Sequence, residues 1–306
     1  MAGYVLRRMI YLVFQVLLVL SLMFIVFRLL PGDPARLVLG ALATEEELIR
    51  FREMMGLNDP LLVQYLRYLM ELSTGNLGVS TVYAQDVFVV ILPRIWPTVR
   101  LMLSSLGLSV VIGVLVGVLT GVYPDSRWAK AIMGIWVAVL AIPNFWLGLI
   151  LVQIFTLQLH LLPPIYTGTG LSMVLPVVAI AARLIALIAR MTRSAVMEIT
   201  NEDYVSFAQA KGLYQRAVVA KHILRPALPP IITMIGMQAG YLLGGSVVIE
   251  NLFSYPGMGQ LLLAAVNLRD YALMQGITLF FVMSFLSINL IVDLLYCLID
   301  PRIRLE

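Results

Sequence analysis

The chain has 306 residues, 61% of them apolar and only 12% Asp, Glu, Lys or Arg, where a soluble domain carries roughly 25% charge. With a mean hydropathy of +0.95, that balance excludes a soluble enzyme, a disordered chain and a nucleic-acid-binding domain, so no nucleic-acid partner is expected. The formal charge of +4 reflects orientation in a membrane, and a single cysteine, Cys297, with only His160 and His222 excludes a disulfide framework and a Cys-based zinc site.

A spanning helix needs about 20 apolar residues, because the hydrocarbon core is about 30 Å thick and each residue rises about 1.5 Å. Six stretches reach that length: 9–30, 99–123, 131–157, 173–191, 230–249 and 273–299. They predict an all-α integral membrane protein of six transmembrane helices, since lipid offers no partner to a bare backbone N–H or C=O. The first follows Arg7 and Arg8, as a signal peptide would. Its apolar run exceeds the roughly 7–15 residues of a signal-peptide core and ends without a small-x-small pattern, so it reads as a retained span.

Segment 31–96 is too long for a simple connection. It opens on the turn cluster Pro31-Gly32-Asp33-Pro34. Thr44 and Glu47 then form a capping box ahead of an amphipathic run to Met55. Asn58-Asp59-Pro60 predicts a second helix with Pro60 in its first position, and Gly75 to Gly78 ends it. The chain therefore divides into 1–30, the N-terminus and first transmembrane helix; 31–96, an extracytoplasmic helical insertion; and 97–306, a core of helices 2–6 with a cytoplasmic loop at 192–228. Lys and Arg in the short connections (Arg7, Arg8, Arg127, Lys130, the cluster from Arg190 to Arg225, Arg302 and Arg304) fall on one side. This places both termini in the cytoplasm.

No catalytic constellation is present. The sequence lacks a GxxxxGK[ST] phosphate loop and an HExxH pair. Neither histidine lies in a span, which disfavours an intramembrane hydrolase. No cofactor and no metal are expected on this chain. The informative segment is the cytoplasmic loop, Tyr204-Val-Ser-Phe-Ala-Gln-Ala-Lys-Gly212 and onward to Pro229. It predicts a short helix with small residues at Ala208 and Ala210, stopped by Gly212, then a basic amphipathic helix over 214–224. A short helix held beneath the bilayer suits docking into a partner's groove.

This loop resembles the EAA loop of binding-protein-dependent ABC importer permeases. Ala208, Ala210, Gly212 and Pro229 match its pattern; the acidic or Arg residue usual before the second Ala is Gln209 here, compatible with a docking role. The likeness extends through Tyr4-Val-Leu-Arg-Arg8, Leu30-Pro-Gly-Asp-Pro34, Gly56-Leu-Asn-Asp-Pro60, Gly75-Asn-Leu-Gly78, Ile142-Pro-Asn-Phe-Trp146, Val248-Ile-Glu-Asn-Leu-Phe253, Pro256-Gly-Met-Gly259, Arg269-Asp-Tyr271 and Asp300-Pro-Arg-Ile-Arg304. Together these resemble the first permease subunit of the dipeptide/oligopeptide/nickel group. The resemblance implies a bacterial inner-membrane complex with a second, homologous permease as heterodimer partner. It also implies two ABC ATPase subunits that carry the ATP and Mg, and an extracytoplasmic solute-binding protein. It assigns ATPase coupling to Tyr204, Phe207, Ala208, Gln209, Ala210, Lys211, Gly212 and Leu213. Short peptides are the expected cargo, with a nickel chelate or glutathione as alternatives. A passive channel or membrane scaffold is the alternative from another class.

Within the spans, Gly113, Gly117 and Gly121 recur at four-residue spacing, which puts them on one helix face and predicts close packing. Gly236, Gly240 and Gly244 do the same in the fifth span, as packing or as a seam between permeases. Polar groups in lipid are costly and face protein or a water-filled path. The candidates for the substrate pathway are Asn144, Arg183, Gln238, Gly240, Glu250, Asn289 and Asp293. The other reading is an interhelical bond network that includes an Arg183–Asp293 pair. Glu250 and Asn251 read either as part of an outer gate or as the end of a helix. Pro143 beside Asn144 predicts a kink in the third span. His160 reads as interfacial, or as metal-handling if the cargo is a nickel chelate.

Overall fold

The computed structural model describes residues 2–29, 43–54 and 56–299. The motifs at 31–34 and 300–304 fall outside the described residues. All regular elements described are helical, and the isolated bridge between Val79 and Asp86 pairs two short extended pieces.

Helix α1 (Ala2–Leu29) contains the first span. Helix α2 (Glu45–Met54) opens with the expected capping box. The Glu47 carboxylate accepts from the Thr44 N–H at 2.8 Å and from its hydroxyl at 2.9 Å, while the Glu47 N–H donates to Thr44 Oγ1 at 3.4 Å. The backbone bond from Thr44, followed by the hydroxyl bond, holds the Glu47 carboxyl below the ordinary carboxylate value. As pH falls the unfolded segment takes up its proton first, so the cap is intact above the usual carboxylate range and is lost as pH drops through the lowered value. Amide protection at residues 45–48, taken against the intrinsic exchange rate at each pH, is expected to fall over that acid window in the native chain. In Thr44→Ala it is expected to be low throughout; a pH profile of protection unchanged by that substitution would contradict the cap.

Helix α3 (Leu61–Ser73) begins just after Pro60, which serves as its N-cap rather than its first residue. Gly75, at φ +80°, turns the chain away beyond it. Helix α4 (Val87–Val122) begins well inside the segment read as the insertion, so the second span is longer than expected. Pro93 and Pro97 look like breakers, yet both lie inside the helix. Each removes one donor, a loss that a long apolar helix held by neighbours absorbs.

The segment expected as the third span is divided. Helix α5 (Arg127–Leu140) is capped by Ser126, and helix α6 (Asn144–Leu151) continues through wide π turns over Val152–Gln158. The two halves meet at 109°. The kink expected at Pro143 is a full break: Pro143 has no N–H to continue α5 and biases Ile142 away from helical geometry. Among the described residues, five helices are long and apolar enough to cross a membrane, and six if the bent pair is one span.

Helix α7 (Val174–Thr200), entered through a 3-10 turn at Leu171–Met173, runs past the expected end at 191 and absorbs the first part of the loop expected at 192–228. After helix α8 (Asp203–Ala210) come the short α9 (Gln215–Ala217), π turns over Val218–Leu224 and α10 (Arg225–Leu252), in unbroken succession. The separate basic helix expected at 214–224 is thus the opening of the fifth-span rod. The wide turns precede Pro226, whose ring would otherwise meet the carbonyl four residues back. Helix α11 (Met258–Asn267) was not anticipated, and α12 (Tyr271–Ile299) carries the sixth span.

The chain forms two compact units, Met1–Pro97 with Gly257–Ser284, and Thr98–Pro256 with Phe285–Glu306. In the first, the start of α4 packs with α11 and α12 through Val87, Ile91, Met258, Leu261, Leu273 and Ile277. The buried Asp270 carboxylate accepts from Ser80 Oγ, from the Val82 N–H at 3.2 Å and from the Leu273 N–H at 3.1 Å, which ties the 79–86 turn to the start of α12. In the second unit α7 is the central helix, packed on α5, α6 and α10. The glycines of α4 seat against it in register: Gly113 on Ile188, Gly117 on Thr192 and Gly121 on Val196. Both sides of the contact step by four residues, so the packing expected of this glycine set is what the fold contains.

Candidate functional site

Helix α8 hangs between α7 and the fifth-span rod. Its N-terminus carries Asp203 in the first turn, favourable to the helix dipole. Val205 and Ala208, three residues apart, sink into a core made by Ala195, Val196, Val218, Ile223, Ala227 and Ile231. That anchor leaves the opposite face bare. Phe207 is 62% exposed. Tyr204, Gln209, Ala210 and Lys211 are exposed beside it. The Lys211 ammonium stands 4.5 Å over the Phe207 ring, a cation–π contact that orients both.

Gly212 ends the helix at φ +76°, its N–H donating to the Gln209 carbonyl at 2.9 Å. An L side chain is strained at that φ. Leu213 and Tyr214 follow, both exposed. Of the eight residues assigned to coupling, seven are therefore open and one is turned inward. Ala208 is 5% exposed; its small size lets α8 lie close on its own chain. A short, firmly seated rod with an aromatic knob, a cation and a rigid left-handed stop can transmit a push.

Among the described residues, the intramembrane candidates do not gather into one cluster. Asn144 opens α6 and is half-buried. Arg183 is exposed on α7, otherwise the most buried span. Gln238 is half-buried on α10, its Nε2 3.9 Å from Met234 Sδ. Gly240 and Asn289 do meet: a Cβ on Gly240 would stand 3.1 Å from Asn289 Oδ1 and 3.0 Å from the Phe285 ring. Gly236 likewise faces Val292, whereas Gly244 faces open space among the described residues. The Asp293 side chain, and with it the Arg183–Asp293 pair, lies outside the described residues.

Glu250 is fully buried, accepting from Thr98 Oγ1 at 2.8 Å. Its backbone carbonyl accepts from the Tyr255 N–H at 2.7 Å, and the Phe253 carbonyl accepts from the Tyr166 N–H at 2.8 Å. The Tyr166 and Tyr255 rings stand edge to face at 4.6 Å. Burial, with Tyr166 adding to it, pushes the Tyr255 hydroxyl up to about 12. Thr98, Tyr166 and Tyr255 escaped the sequence reading, since partners so far apart in the chain leave no spacing signal. His160 sits in an exposed turn at φ +53°.

The described residues form a multi-span helical chain with a short helix, α8, held between two of the long helices. Residues 113–305 match the family described as the binding-protein-dependent transport system inner membrane component, and residues 1–102 match the N-terminal membrane component of the same systems. The chain belongs to this family. It is a permease subunit of an ABC importer and an inner-membrane component, in a family distinct from the ATPases. Similar proteins include the glutathione transport system permease protein GsiC of Salmonella paratyphi A, 39% identical over 99% of each chain. GsiC of Pectobacterium atrosepticum is 40% identical and GsiC of Escherichia coli K12 38%, each over 99% of both chains. Among solved structures, the MetNI methionine ABC transporter in an inward-facing conformation gives a TM-score of 0.56 at 20% identity, covering 69% of this chain and 96% of that one. An amino acid ABC transporter with histidines gives 0.52 at 17% identity, covering 67% and 92%. At these identities the structural likeness speaks for the fold.

Proposed function

We propose that this chain forms half of the translocation pathway for a short peptide, glutathione being the first to test, in an importer driven by separate ATPase subunits. The observation that carries the reading is the open face of α8, with Phe207, Lys211 and the Gly212 stop on a rod anchored by Val205 and Ala208. On this account Tyr204, Phe207, Gln209, Ala210, Lys211 and Leu213 enter a groove on an ATPase subunit that binds ATP and Mg. Closure of the ATPase pair moves the rod, and α7 and α10, which flank it, pass the motion to the membrane path. A second, homologous permease completes that path, and an extracytoplasmic solute-binding protein delivers the cargo. Both termini then lie in the cytoplasm. Arg183, Gln238 and the Gly240–Asn289 contact supply polar groups along the path. Glutathione is itself a tripeptide, so the GsiC relatives and a peptide cargo point to one chemical class.

The test is uptake by proteoliposomes holding this chain, its partner permease and both ATPases, with the binding protein added. Glutathione or short peptides should accumulate only with ATP and the binding protein. Equal filling without ATP would overturn the importer reading. Uptake of a nickel chelate, with no response to any peptide, would overturn the cargo.

A further inference from the structure

Helix α3 carries an apolar face that the rest of the chain leaves open. At 3.6 residues per turn, Gln64, Tyr65, Tyr68 and Leu72 share the packed side. Leu62, Leu66 and Met70, at four-residue spacing, are 69%, 55% and 70% exposed. A third sector is polar: Arg67 pairs with Asp59 at 2.7 Å, and Glu71 is exposed. A helix that lies between protein and water needs two sectors. Three sectors suit a helix that meets protein, hydrocarbon and water at once.

The contacts of the packed side set the depth. The Tyr65 hydroxyl is 2.7 Å from Ser21 Oγ, and the Tyr65 and Tyr68 rings stand 5.3 and 5.8 Å from the Phe24 ring. Ser21 and Phe24 belong to the apolar window Ile10–Phe27 of the first span. At about 1.5 Å per residue they lie about 9 and about 5 Å inside its C-terminal end. At the same level α1 exposes Leu18, Leu22 and Ile25, the surface a span gives to lipid. Helix α3 thus runs beside the span rather than beyond it. At about 20 Å long it is too short to cross a core of about 30 Å.

We infer that α3 is a membrane-interface helix, with Leu62, Leu66 and Met70 covered by acyl chains of the leaflet at the C-terminal end of α1. The insertion is then anchored in the bilayer and is not a free lid. Immersion of that face removes apolar surface from water at about 25 cal/mol per Å², while Arg67 and Glu71 keep to the aqueous side.

Spin labels test this in the assembled complex in lipid nanodiscs, on a Cys297→Ser background. The labelled variants are Leu62→Cys, Leu66→Cys, Met70→Cys, Arg67→Cys and Glu71→Cys. Oxygen, which concentrates in hydrocarbon, should relax labels at 62, 66 and 70 strongly and chromium oxalate weakly. The ratio of the two accessibilities should exceed that at 67 and 71 several-fold. Three apolar sites keep the test decisive if one variant fails to assemble. Strong relaxation by chromium oxalate at 62, 66 and 70 would place the face in water, and weak relaxation by both agents would place it under protein, such as the solute-binding protein. Either result overturns the inference.

Discussion

Gly117→Leu should strongly destabilise the permease and lower its unfolding midpoint. Even a bare Cβ at Gly117 would stand 2.7 Å from the Ala189 carbonyl oxygen and closer still to the Thr192 side chain. The carbonyl is backbone of α7, so relief requires the two helices to part. Parting them also unseats Gly113 from Ile188 and Gly121 from Val196, because one rigid face carries all three. Overpacking costs about 1–3 kcal/mol in a core that can adjust, and a leucine at a backbone-limited contact between spans should reach about 3 kcal/mol or more. Gly107 of the same helix is the control, since nothing lies within 4 Å of a Cβ there. Gly107→Ala should be neutral or slightly stabilising, as expected for removing glycine from a helix interior. Thermal unfolding of the purified complex in one detergent checks both variants. Equal midpoints for Gly117→Leu and the native chain would show that α4 and α7 do not pack in this register.

The second large effect is expected at the tip of α8. Phe207→Ala removes an exposed aromatic whose ring meets the Lys211 ammonium, so the subunit should fold and enter the membrane normally. Buried aromatic anchors in interfaces are worth about 2 kcal/mol or more, about thirtyfold in affinity. Substrate uptake should fall by at least that order, while the ATPases keep a basal turnover no longer linked to cargo. Ala208→Asp separates this effect from a folding defect. It places a carboxylate in the core beneath α8, where an unpaired charge is costly, so it should lower the unfolding midpoint as well as uptake. Uptake in Phe207→Ala equal to that of the native chain would remove Phe207 from the coupling contact.

Where local chemistry decides the structure, these outcomes were legible in the residues. The Thr44–Glu47 cap needs only its own two side chains, and Gly212 only its freedom at positive φ. The ladder of Gly113, Gly117 and Gly121 announces a close neighbour without saying which. What was hidden depends on groups far apart in the chain. Pro93 and Pro97 lie inside α4, which neighbouring elements hold together around them. Ala208 has the residue type of a contact surface, but the core formed by Val218, Ile223 and Ile231 turns it inward. Met258–Asn267 is a short apolar run hidden behind Pro256 and Gly257, and it becomes a helix because Leu261 and Ala265 have a core to enter. Glu250 looked like a gate residue or a helix end; its bond to Thr98 answers neither from sequence, because the partner sits on α4.

The central claim is that α8 is the contact through which an ATPase subunit moves this permease. Cysteine cross-linking in the assembled complex tests it most directly, with single cysteines at Phe207→Cys and, on the buried face, Val205→Cys, and a panel of cysteines around the ATPase groove. Phe207→Cys should form a disulfide with the ATPase, with a yield that changes when ATP and Mg close the pair, and Val205→Cys should form none. A Phe207→Cys that stays unlinked across the whole panel, and remains freely open to a water-soluble maleimide in the active complex, would contradict the account.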